Sequence, residues 1–414
     1  MKAIKINKLY DGNLKDALEN VIVVFDEKCI VDILFFNEIQ KLERYDVEFI
    51  DLSDKYMTPG LINCHTHLSL PGNGELGEET MANFNAGQIQ MLALKNAITE
   101  LNSGVTTLRD CGSPYEVAYN LREAINKGII LGPDIAICGR PLTSTGGHTN
   151  YFGGEVDDEY EIRKTIREQY KNQGINFVKL MSTAGGTRGI PKGNTFNYRE
   201  MESAVEESHR VELKISFHAT SIEGVRNAVN LGADGIEHAY FLDKQAMKVE
   251  KDKCLVEKLA EKQIYVCQTL PVLEASLDEI KKNPREDWTD FDVSEYHRLT
   301  DFQEKLMEIF EFQNSAGVNT VAGNDAGWRF CKFGTLYKGL EMMHRGGMSN
   351  IEVIHAATSK PAKYLGLGKK IGLIKIGYQA DLLILNKDPG DDISNFSDVH
   401  SVYKKGEIVK NILA

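Results

Sequence analysis

The middle of the chain alternates short apolar runs with longer amphipathic segments, and this alternation restricts the fold more than any other feature of the sequence. A short apolar run bounded by turn signals predicts a buried strand, and an amphipathic segment between two such runs predicts a helix that covers them. The predicted strands are Thr58–His67, Val105–Arg109, Ile130–Cys138, Phe177–Met181, Ile215–Ala219, Gly235–His238, Ile264–Gln268 and Thr320–Ala322, with helices such as Met81–Ser103, Glu161–Gln173, Tyr198–Val211 and Ser294–Ser315 between them.

Strands and helices that alternate through roughly 300 residues predict an α/β fold of the (β/α)8 TIM-like barrel type, since such a barrel typically needs about 250 residues. A doubly wound open sheet is the competing architecture. It would need fewer strands, and its first strand is ordinarily followed by a Gly-rich phosphate-binding turn that this sequence lacks.

Both ends of the chain are rich in strand signals that are separated by turns rather than by helices. These signals predict one small β domain built from both termini, with residues 1–56 and 366–414 flanking a barrel domain of residues 57–365. The strand-like runs are Ala3–Ile6, Val21–Phe25, Ile30–Phe35 and Phe49–Leu52 near the start, and Ala380–Leu385 and Val402-Tyr403 near the end.

Composition and charge argue against several classes of protein. A hydrophobic fraction of 42% and a charged fraction of 26% in 414 residues indicate a globular chain with a substantial core. The 60 acidic residues outnumber the 48 lysines and arginines, and the net charge of −12 argues against a nucleic-acid partner. The longest apolar runs are too short to span a bilayer, so no membrane association is expected.

The start of the chain and its cysteines favour a cytoplasmic protein. Residues 1–13 contain neither an apolar signal core nor a small-residue cleavage site. The seven cysteines form no CxxC pair and no dense framework, so we expect reduced thiols rather than disulfides.

Two histidines end the first predicted barrel strand. His65 and His67 are two residues apart, and on an extended strand such residues point to the same side. They can therefore converge on one metal ion at the carboxyl end of the strand, which is where barrel enzymes place their chemistry. A histidine pair of this kind is a weak signal when it stands alone.

Further ligand-type residues follow other predicted strands. His218 and His238 end two consecutive strands, and Asp325 comes directly after the last one. Imidazole and carboxylate groups together suit zinc or a similar divalent ion. Since all these side chains lie at strand ends of one barrel-like series, the sequence predicts a metal site there.

These motifs together resemble the amidohydrolase superfamily. Within it, the chain is most similar to the branch of imidazolonepropionase-like proteins, metal-dependent prolidases and Xaa-Arg/Lys dipeptidases. The resemblance implies a distorted barrel with a small β-sandwich formed by both termini. It covers nearly the whole chain and is carried by the run TPGLINCHTH at residues 58–67, by His218 and His238, by Gly323-Asn324-Asp325, and by the tail segments Ala357–Ala362, Gly372–Ile374 and Gly377–Leu382.

The predicted strand Phe177–Met181 carries a lysine, Lys179, among apolar residues. The simplest interpretation is a surface lysine whose stem packs on the sheet. Inside a barrel, a lone ammonium is costly, and it cannot bind a metal because it has no acceptor. In binuclear amidohydrolases, a lysine at this place reacts with carbon dioxide to form a carbamate that bridges two metals.

The resemblance implies two divalent metal ions, with zinc as the expected metal. By this resemblance, one ion would be held by His65, His67, Lys179 and Asp325, and the other by Lys179, His218 and His238. A metal-bound hydroxide would attack the amide of a dipeptide or an N-acyl amino acid, and Asp325 would carry the proton to the departing amine. Prolidase-like and Xaa-Arg/Lys-like specificities both remain open, and association into a homo-oligomer is also implied.

Three further residues are candidate contacts for a small-molecule substrate. His148 lies in a glycine-rich loop after the third predicted strand and could donate to the scissile carbonyl or its oxyanion. Tyr240 follows His238 by two residues and could face the same mouth of the barrel. Arg329, beyond Asp325, could pair with a free carboxylate. The alternatives are an ordinary loop histidine, a structural tyrosine and a surface arginine.

Two other functions fit the same architecture. A single-metal cyclic amidohydrolase or deaminase, related to imidazolonepropionase, would lack the bridging lysine. A non-catalytic scaffold would have lost metal ligands, whereas every expected ligand is present in this sequence.

Overall fold

Strands and helices alternate between two strand-rich ends in the computed structural model, which describes residues 1–187, 193–243 and 248–409. The strands of these residues are, in chain order, β1 (Lys2–Leu9), β2 (Leu18–Phe25), β3 (Ile30–Phe35), β4 (Glu48–Pro59), β5 (Leu61–Thr66), β6 (Val105–Asp110), β7 (Asp134–Ile137), β8 (Phe177–Met181), β9 (Lys214–Ser221), β10 (Gly235–Leu242), β11 (Tyr265–Cys267), β12 (Asn319–Thr320), β13 (Leu382–Leu385), β14 (Val399–Lys404) and β15 (Glu407–Ile408).

Several helices begin at a side chain that caps their first turn. Asn85, Asp158 and Asn197 each accept a hydrogen bond from the backbone N–H three residues later, which satisfies a donor that the helix itself leaves free. The helices are α1 (Gly77–Asn83), α2 (Ala86–Asn102), α3 (Val117–Asn126), α4 (Glu159–Gln173), α5 (Tyr198–Arg210), α6 (Ile222–Leu231), α7 (Lys253–Glu261), α8 (Pro271–Ile280), α9 (Asp290–Ser315), α10 (Leu336–Arg345), α11 (Asn350–Ala357) and α12 (Ser359–Tyr364), with short 3-10 helices at Phe36–Arg44, Asn150–Phe152, Arg285–Asp287 and Ile393–Ser397.

The strands from both ends of the chain form one mixed sheet of seven strands, in the order β15-β14-β13-β4-β1-β2-β3. Strand β1 pairs in parallel with β4 and antiparallel with β2, whereas β4 pairs antiparallel with β13. Alternate residues such as Ile4, Ile6 and Leu382 are buried in one apolar cluster on this sheet. The two termini therefore share one hydrophobic core.

The central strands form two parallel sheets. One has five strands in the order β12-β11-β10-β9-β8, and the other has three in the order β5-β6-β7. Helices connect the strands, as parallel pairing requires. The predicted α/β class with parallel sheets is confirmed.

Backbone hydrogen bonds also join the two parallel sheets to each other. The N–H of Cys64 in β5 donates to the carbonyl of Ala322 over 2.9 Å, just after β12. At the other edge, Leu142 donates to the carbonyl of Lys179 and accepts from the N–H of Met181, each over 2.8 Å. The two sheets are therefore hydrogen-bonded to each other at both edges, through β5 and β8 and through the segments that follow β12 and β7.

The predicted strand Thr58–His67 is divided at Gly60 between two sheets. Strand β4 ends at Pro59 in the seven-stranded sheet, and β5 begins at Leu61 in a parallel sheet. A Cβ atom at Gly60 would lie 2.2 Å from the hydroxyl oxygen of Thr106, so only glycine allows this close approach. An apolar run does not reveal where a chain passes from one sheet to the next.

No helix of the described residues is long and apolar enough to cross a membrane. All seven cysteines lie in described parts of the chain, and each is a free thiol.

Candidate metal centre and active site

The predicted ligand residues line a single cavity of about 270 Å³ at the carboxyl ends of the parallel strands. Strand β5 and the residue that follows it contribute His65 and His67, β8, β9 and β10 contribute one ligand each, and the segment after β12 contributes the last. The cavity is lined by His65, His67, Lys179, His218, His238 and Asp325, and also by His148 and Tyr240.

Hydrogen bonds fix the tautomers of two of these histidines. Nδ1 of His65 lies 2.7 Å from a carboxylate oxygen of Glu237, and Nδ1 of His67 lies 3.2 Å from the carbonyl oxygen of Gly112. Both partners are acceptors only, so each Nδ1 carries the proton and each Nε2 keeps a free lone pair. The two Nε2 atoms lie 3.4 Å and 3.3 Å from the same oxygen, Oδ1 of Asp325.

This arrangement of acceptors fits a metal cation. Two nitrogen lone pairs and a carboxylate oxygen converge, and Oδ1 of Asp325 is buried without a hydrogen-bond donor among the described residues. Ligand atoms of His65, His238 and Asp325 all lie within 4.8 Å of one another. A donor set of imidazole nitrogens and carboxylate oxygen is the one that zinc and similar divalent ions prefer.

Burial sets the charge of these groups. It lowers the pKa of His65, of His218 and of His238, so that their imidazoles are neutral near pH 7 and their lone pairs can bind a cation. Burial alone would raise the pKa of Asp325, but the imidazoles of His65 and His67 lower it overall. Asp325 is therefore a carboxylate at neutral pH.

Lys179 is almost fully buried in the wall of the same cavity. Its Nζ has no hydrogen-bond partner among the residues that the structure describes. The interpretation as a surface lysine does not fit this position. A buried ammonium without a partner is costly, and the cost is removed if the nitrogen is converted into an anionic group that binds cations.

Glu237 binds the Nδ1 side of His65, and no sequence pattern identified it as a site residue. One of its carboxylate oxygens accepts from His65, and the other accepts from Nη1 of Arg109 over 2.6 Å and from the hydroxyl of Ser216. Arg109 in turn donates to the hydroxyl of Tyr364 over 3.0 Å. A carboxylate behind a ligand histidine fixes the ring and its tautomer, and this raises its basicity toward a metal.

Arg109 forms its ion pair with Glu237 and not with its sequence neighbour Asp110. Successive residues on a strand face opposite sides, so the two side chains diverge. Asp110 instead accepts from the hydroxyl of Ser113 over 2.8 Å and from the N–H of Leu68 over 2.9 Å. Arg109 and Glu237 carry opposite charges within predicted buried strands. Because buried charges need partners, these charges could have indicated the pair that the structure contains.

Thr269 joins His238 to Tyr240. Its hydroxyl lies 2.9 Å from Nδ1 of His238 and 2.9 Å from the hydroxyl of Tyr240. Burial raises the pKa of Tyr240, so the phenol keeps its proton. No sequence pattern identifies Thr269 as a site residue, because it reaches the site only through the turn that follows β11.

His148 lies beside the ligand histidines, with its ring centroid 4.5 Å from that of His218. Burial, together with the neighbouring His67, lowers the pKa of His148 to about 3, so the ring is neutral. Its Nδ1 lies 2.7 Å from the hydroxyl of Thr187, which also accepts from a backbone N–H. His148 therefore presents a neutral, fixed imidazole to the cavity.

Arg329 lies outside this cavity. It lines a larger neighbouring cavity of about 610 Å³, and the indole of Trp328 separates it from His148. The ring of Trp328 is 5.6 Å from the ring of His148 and 5.9 Å from the guanidinium of Arg329. The three predicted substrate contacts thus fall into two adjoining spaces.

Unusual backbone conformations occur at the site. His238, Thr269 and Asp325 all have positive φ angles, of 73°, 50° and 59° respectively. Residues other than glycine adopt this left-handed conformation at a cost of order 1–3 kcal/mol, and such residues concentrate at functional sites.

A second buried network supports the loop of Asp325. The amide of Asn63 donates to Oδ1 of Asn324 over 2.8 Å, and Oε1 of Glu100 accepts from the N–H of Gly334 over 3.0 Å. Burial raises the pKa of Glu100 to about 7. Since Asn63 and Asn324 each stand next to the ligand segments, their bond ties the two segments together.

Comparisons with known proteins show the family of the chain. The family model described as the amidohydrolase family matches residues 56–409. Ochratoxinase from Aspergillus niger is 26% identical, over 98% of this chain and 87% of the relative. A solved structure of a Xaa-Pro dipeptidase with bound methionine in the active site has a TM-score of 0.84 and 26% identity, over 99% of each chain. That of molinate hydrolase has a TM-score of 0.82 and 25% identity, over 99% and 95%.

The matched region contains every predicted ligand position, from His65 to Asp325. The prediction of a hydrolase that acts on C–N bonds is confirmed. This chain belongs to the amidohydrolase family.

Proposed function

We propose that this chain is a binuclear metal-dependent amidohydrolase that cleaves the amide bond of a dipeptide or an N-acyl amino acid. The observation that carries this proposal is the buried Nζ of Lys179, which lacks a partner among the described residues and shares one cavity with four histidines and Asp325. The names of the ochratoxinase and Xaa-Pro dipeptidase relatives are consistent with amide substrates.

The finer architecture belongs to the same proposal. We infer that the two parallel sheets are parts of one eight-stranded barrel, because backbone hydrogen bonds join them at both edges. The seven-stranded sheet would be the small β-sandwich domain of residues 1–56 and 366–414, and the barrel would comprise residues 57–365. Free thiols support a cytoplasmic location, and association into a homo-oligomer remains a prediction.

Two divalent ions, with zinc as the expected metal, would be held by this set of residues. Lys179 would first react with carbon dioxide, so that its nitrogen loses a proton and gains a carboxylate group. His65, His67 and Asp325 would hold one ion and His218 and His238 the other, with the carbamate between them. When bound, the ions polarise the substrate carbonyl and lower the pKa of the attacking water.

Asp325 is the proton carrier in this proposal. Its carboxylate stays ionised at neutral pH and can accept the proton that the attacking water loses. It then delivers this proton to the leaving nitrogen, which would otherwise depart as a very poor leaving group. Asp325 has a left-handed backbone conformation, and its side chain lines the cavity in which the proton would be exchanged.

Tyr240 donates to the substrate in this proposal. If Nε2 of His238 binds a metal, its Nδ1 must carry the proton and donate it to Thr269. The hydroxyl of Thr269 then donates to the oxygen of Tyr240, and the phenol proton remains free for the substrate. His148 acts similarly: when Thr187 donates to its Nδ1, the ring N–H lies on Nε2 and can stabilise the oxyanion.

The substrate should carry a free carboxylate next to the scissile amide, because Tyr240 and His148 supply donors in this cavity and Arg329 supplies another in the adjoining one. The test compares a cleaved N-acyl amino acid with its C-terminal amide. We expect kcat/KM to fall about 10- to 100-fold for the amide, since hydrogen bonds to charged groups contribute roughly 1.5–3 kcal/mol. Tyr240→Phe and Arg329→Gln should each reduce this difference.

Equal turnover of the acid and the amide would rule out this substrate class and favour a neutral lactam, carbamate or urea. Hydrolysis of a cyclic amide or deamination by a chain with one metal would instead support the single-metal alternative. A chain that binds no metal and hydrolyses no amide would support the scaffold alternative.

A further inference from the structure

A second, larger cavity adjoins the candidate active site. Its volume is about 610 Å³, against about 270 Å³ for the inner cavity, and cavities of 300–1,000 Å³ typically hold drug-sized ligands. Both cavities are lined by Val272, Leu273 and Trp328, so the outer one lies directly beyond the inner one. A substrate seated at the metal ligands can therefore extend into the outer cavity.

The outer cavity is formed by the helical hairpin of α8 and α9 and by residues 328–330. Phe291, Phe330 and Trp328 give its wall aromatic faces, and Leu299 and Ile280 add aliphatic surface. Phe291 is 74% exposed although it borders a cavity of ligand size. Aromatic walls of this kind recognise a flat aromatic group by stacking and by burial of apolar surface.

Among the described residues, the cations that line the outer cavity are paired with carboxylates except for Arg329. Arg298 is bound by both carboxylate oxygens of Glu295, at 2.7 Å and 2.6 Å, and Lys282 is paired with Glu279. Arg329 has no carboxylate within 4.0 Å in the parts of the chain that the structure describes. Its backbone also has a positive φ of 50°, a strained conformation for an arginine.

We propose that the outer cavity is a subsite for an aromatic group of the substrate, so that the chain acts on amides larger than simple dipeptides of small residues. This inference rests on the proposed function, which it deepens by naming the substrate class. The aromatic group is carried either on the acyl side of the scissile bond or as the side chain of the leaving amino acid, and both are recognised by the same wall.

The first experiment measures kcat/KM for three amides: N-acetylalanine, N-(2-naphthoyl)alanine and N-acetyl-3-(2-naphthyl)alanine. The second and third carry the same ring on the acyl side and on the amine side. Wild-type protein is expected to prefer at least one of them over N-acetylalanine by about tenfold, because an aromatic ring that enters the outer cavity removes apolar surface from water. The preferred substrate identifies the side that enters the subsite.

Two variants change the outer cavity at residues that do not line the inner cavity. Ser276→Trp places a large ring in the outer cavity, and Phe291→Ala removes part of its aromatic wall. Each should reduce the preference for the naphthyl substrate about tenfold. Tyr160→Ala is the matched control for Phe291→Ala, because Tyr160 is an aromatic residue with 73% exposure that lines neither cavity, and it should leave the preference unchanged.

A binding measurement separates this inference from the proposed function. Calorimetry with 2-naphthoate and with 3-(2-naphthyl)alanine should show binding of at least one ligand that Ser276→Trp and Phe291→Ala weaken about tenfold. If this occurs while none of the amides is hydrolysed, the subsite stands and the proposed function fails. If amides are hydrolysed without a naphthyl preference, and the variants change neither turnover nor binding, the subsite is excluded and the proposed function stands.

Discussion

Replacement of Lys179 by alanine is expected to remove at least one of two bound metal ions and to lower kcat/KM by more than about 100-fold. The physical reason is that the carbamate oxygens of Lys179 would bridge both ions, so the variant would lack a ligand to each. Loss of a residue that merely supports a ligand already costs about 10- to 100-fold, and a bridging ligand should cost more. Metal content and steady-state kinetics of the purified variant measure the effect.

Two further measurements show whether this loss is specific. A small added carboxylic acid should restore part of the activity of Lys179→Ala, because it can occupy the place of the carbamate. Lys214→Ala is the matched control, since Lys214 lies on the neighbouring strand β9, is partly buried and does not line the cavity. A Lys179→Ala protein with two bound metals and normal turnover would refute the bridging role.

Asp325→Asn should keep much of its metal but lose about 100- to 10,000-fold in kcat, which is the usual contribution of general acid–base catalysis. The amide is nearly the same size as the carboxylate and keeps an oxygen toward the histidines, but it cannot accept the proton of the attacking water. The measurement is kcat at saturating substrate, with metal content determined on the same sample.

Asp388→Asn provides the control for this change. Asp388 is another buried carboxylate, which binds Lys8 at 2.6 Å and Tyr10 at 2.5 Å in the terminal part of the chain, away from the cavity. Its replacement should lower stability and leave kcat close to the wild-type value. An Asp325→Asn protein with unchanged kcat would exclude the proton-carrier role.

The ligand residues could be predicted because strand periodicity determines where they must lie. His65 lies near the end of β5 and His67 directly follows it, two residues apart and so on one side of the chain, and the carboxyl ends of parallel strands meet on one side of the sheet. The same rule placed His218, His238 and Asp325. These predictions need only local sequence and the expected fold, and the structure brings all five residues to one cavity.

The residues that hold these ligands could not be predicted in the same way, because their partners are distant in sequence. Glu237 binds His65, which lies 172 positions earlier, and Thr187 binds His148, 39 positions earlier. Nothing in the local pattern distinguishes these side chains from ordinary polar residues. The opposite charges of Arg109 and Glu237 indicate only that buried charges need partners, and not that Glu237 binds His65.

The helix boundaries could be predicted less accurately from the sequence than the ligand positions. The predicted helix Met81–Ser103 is divided into two helices, because the first ends before Phe84 and Asn85 caps the start of the second. The helix predicted from Ser294 begins four residues earlier at Asp290, where Thr289 and Asp292 form a reciprocal cap. This longer helix α9 forms one wall of the outer cavity, and no local sequence pattern predicts that cavity.

The metal requirement of the active enzyme tests the central claim most directly. The chain is stripped of metal with a chelator, zinc is added back in steps, and bound zinc and amide hydrolysis are measured on the same samples. The binuclear proposal predicts that activity rises to its maximum as bound zinc approaches two ions per chain. Full activity with one ion per chain would contradict it.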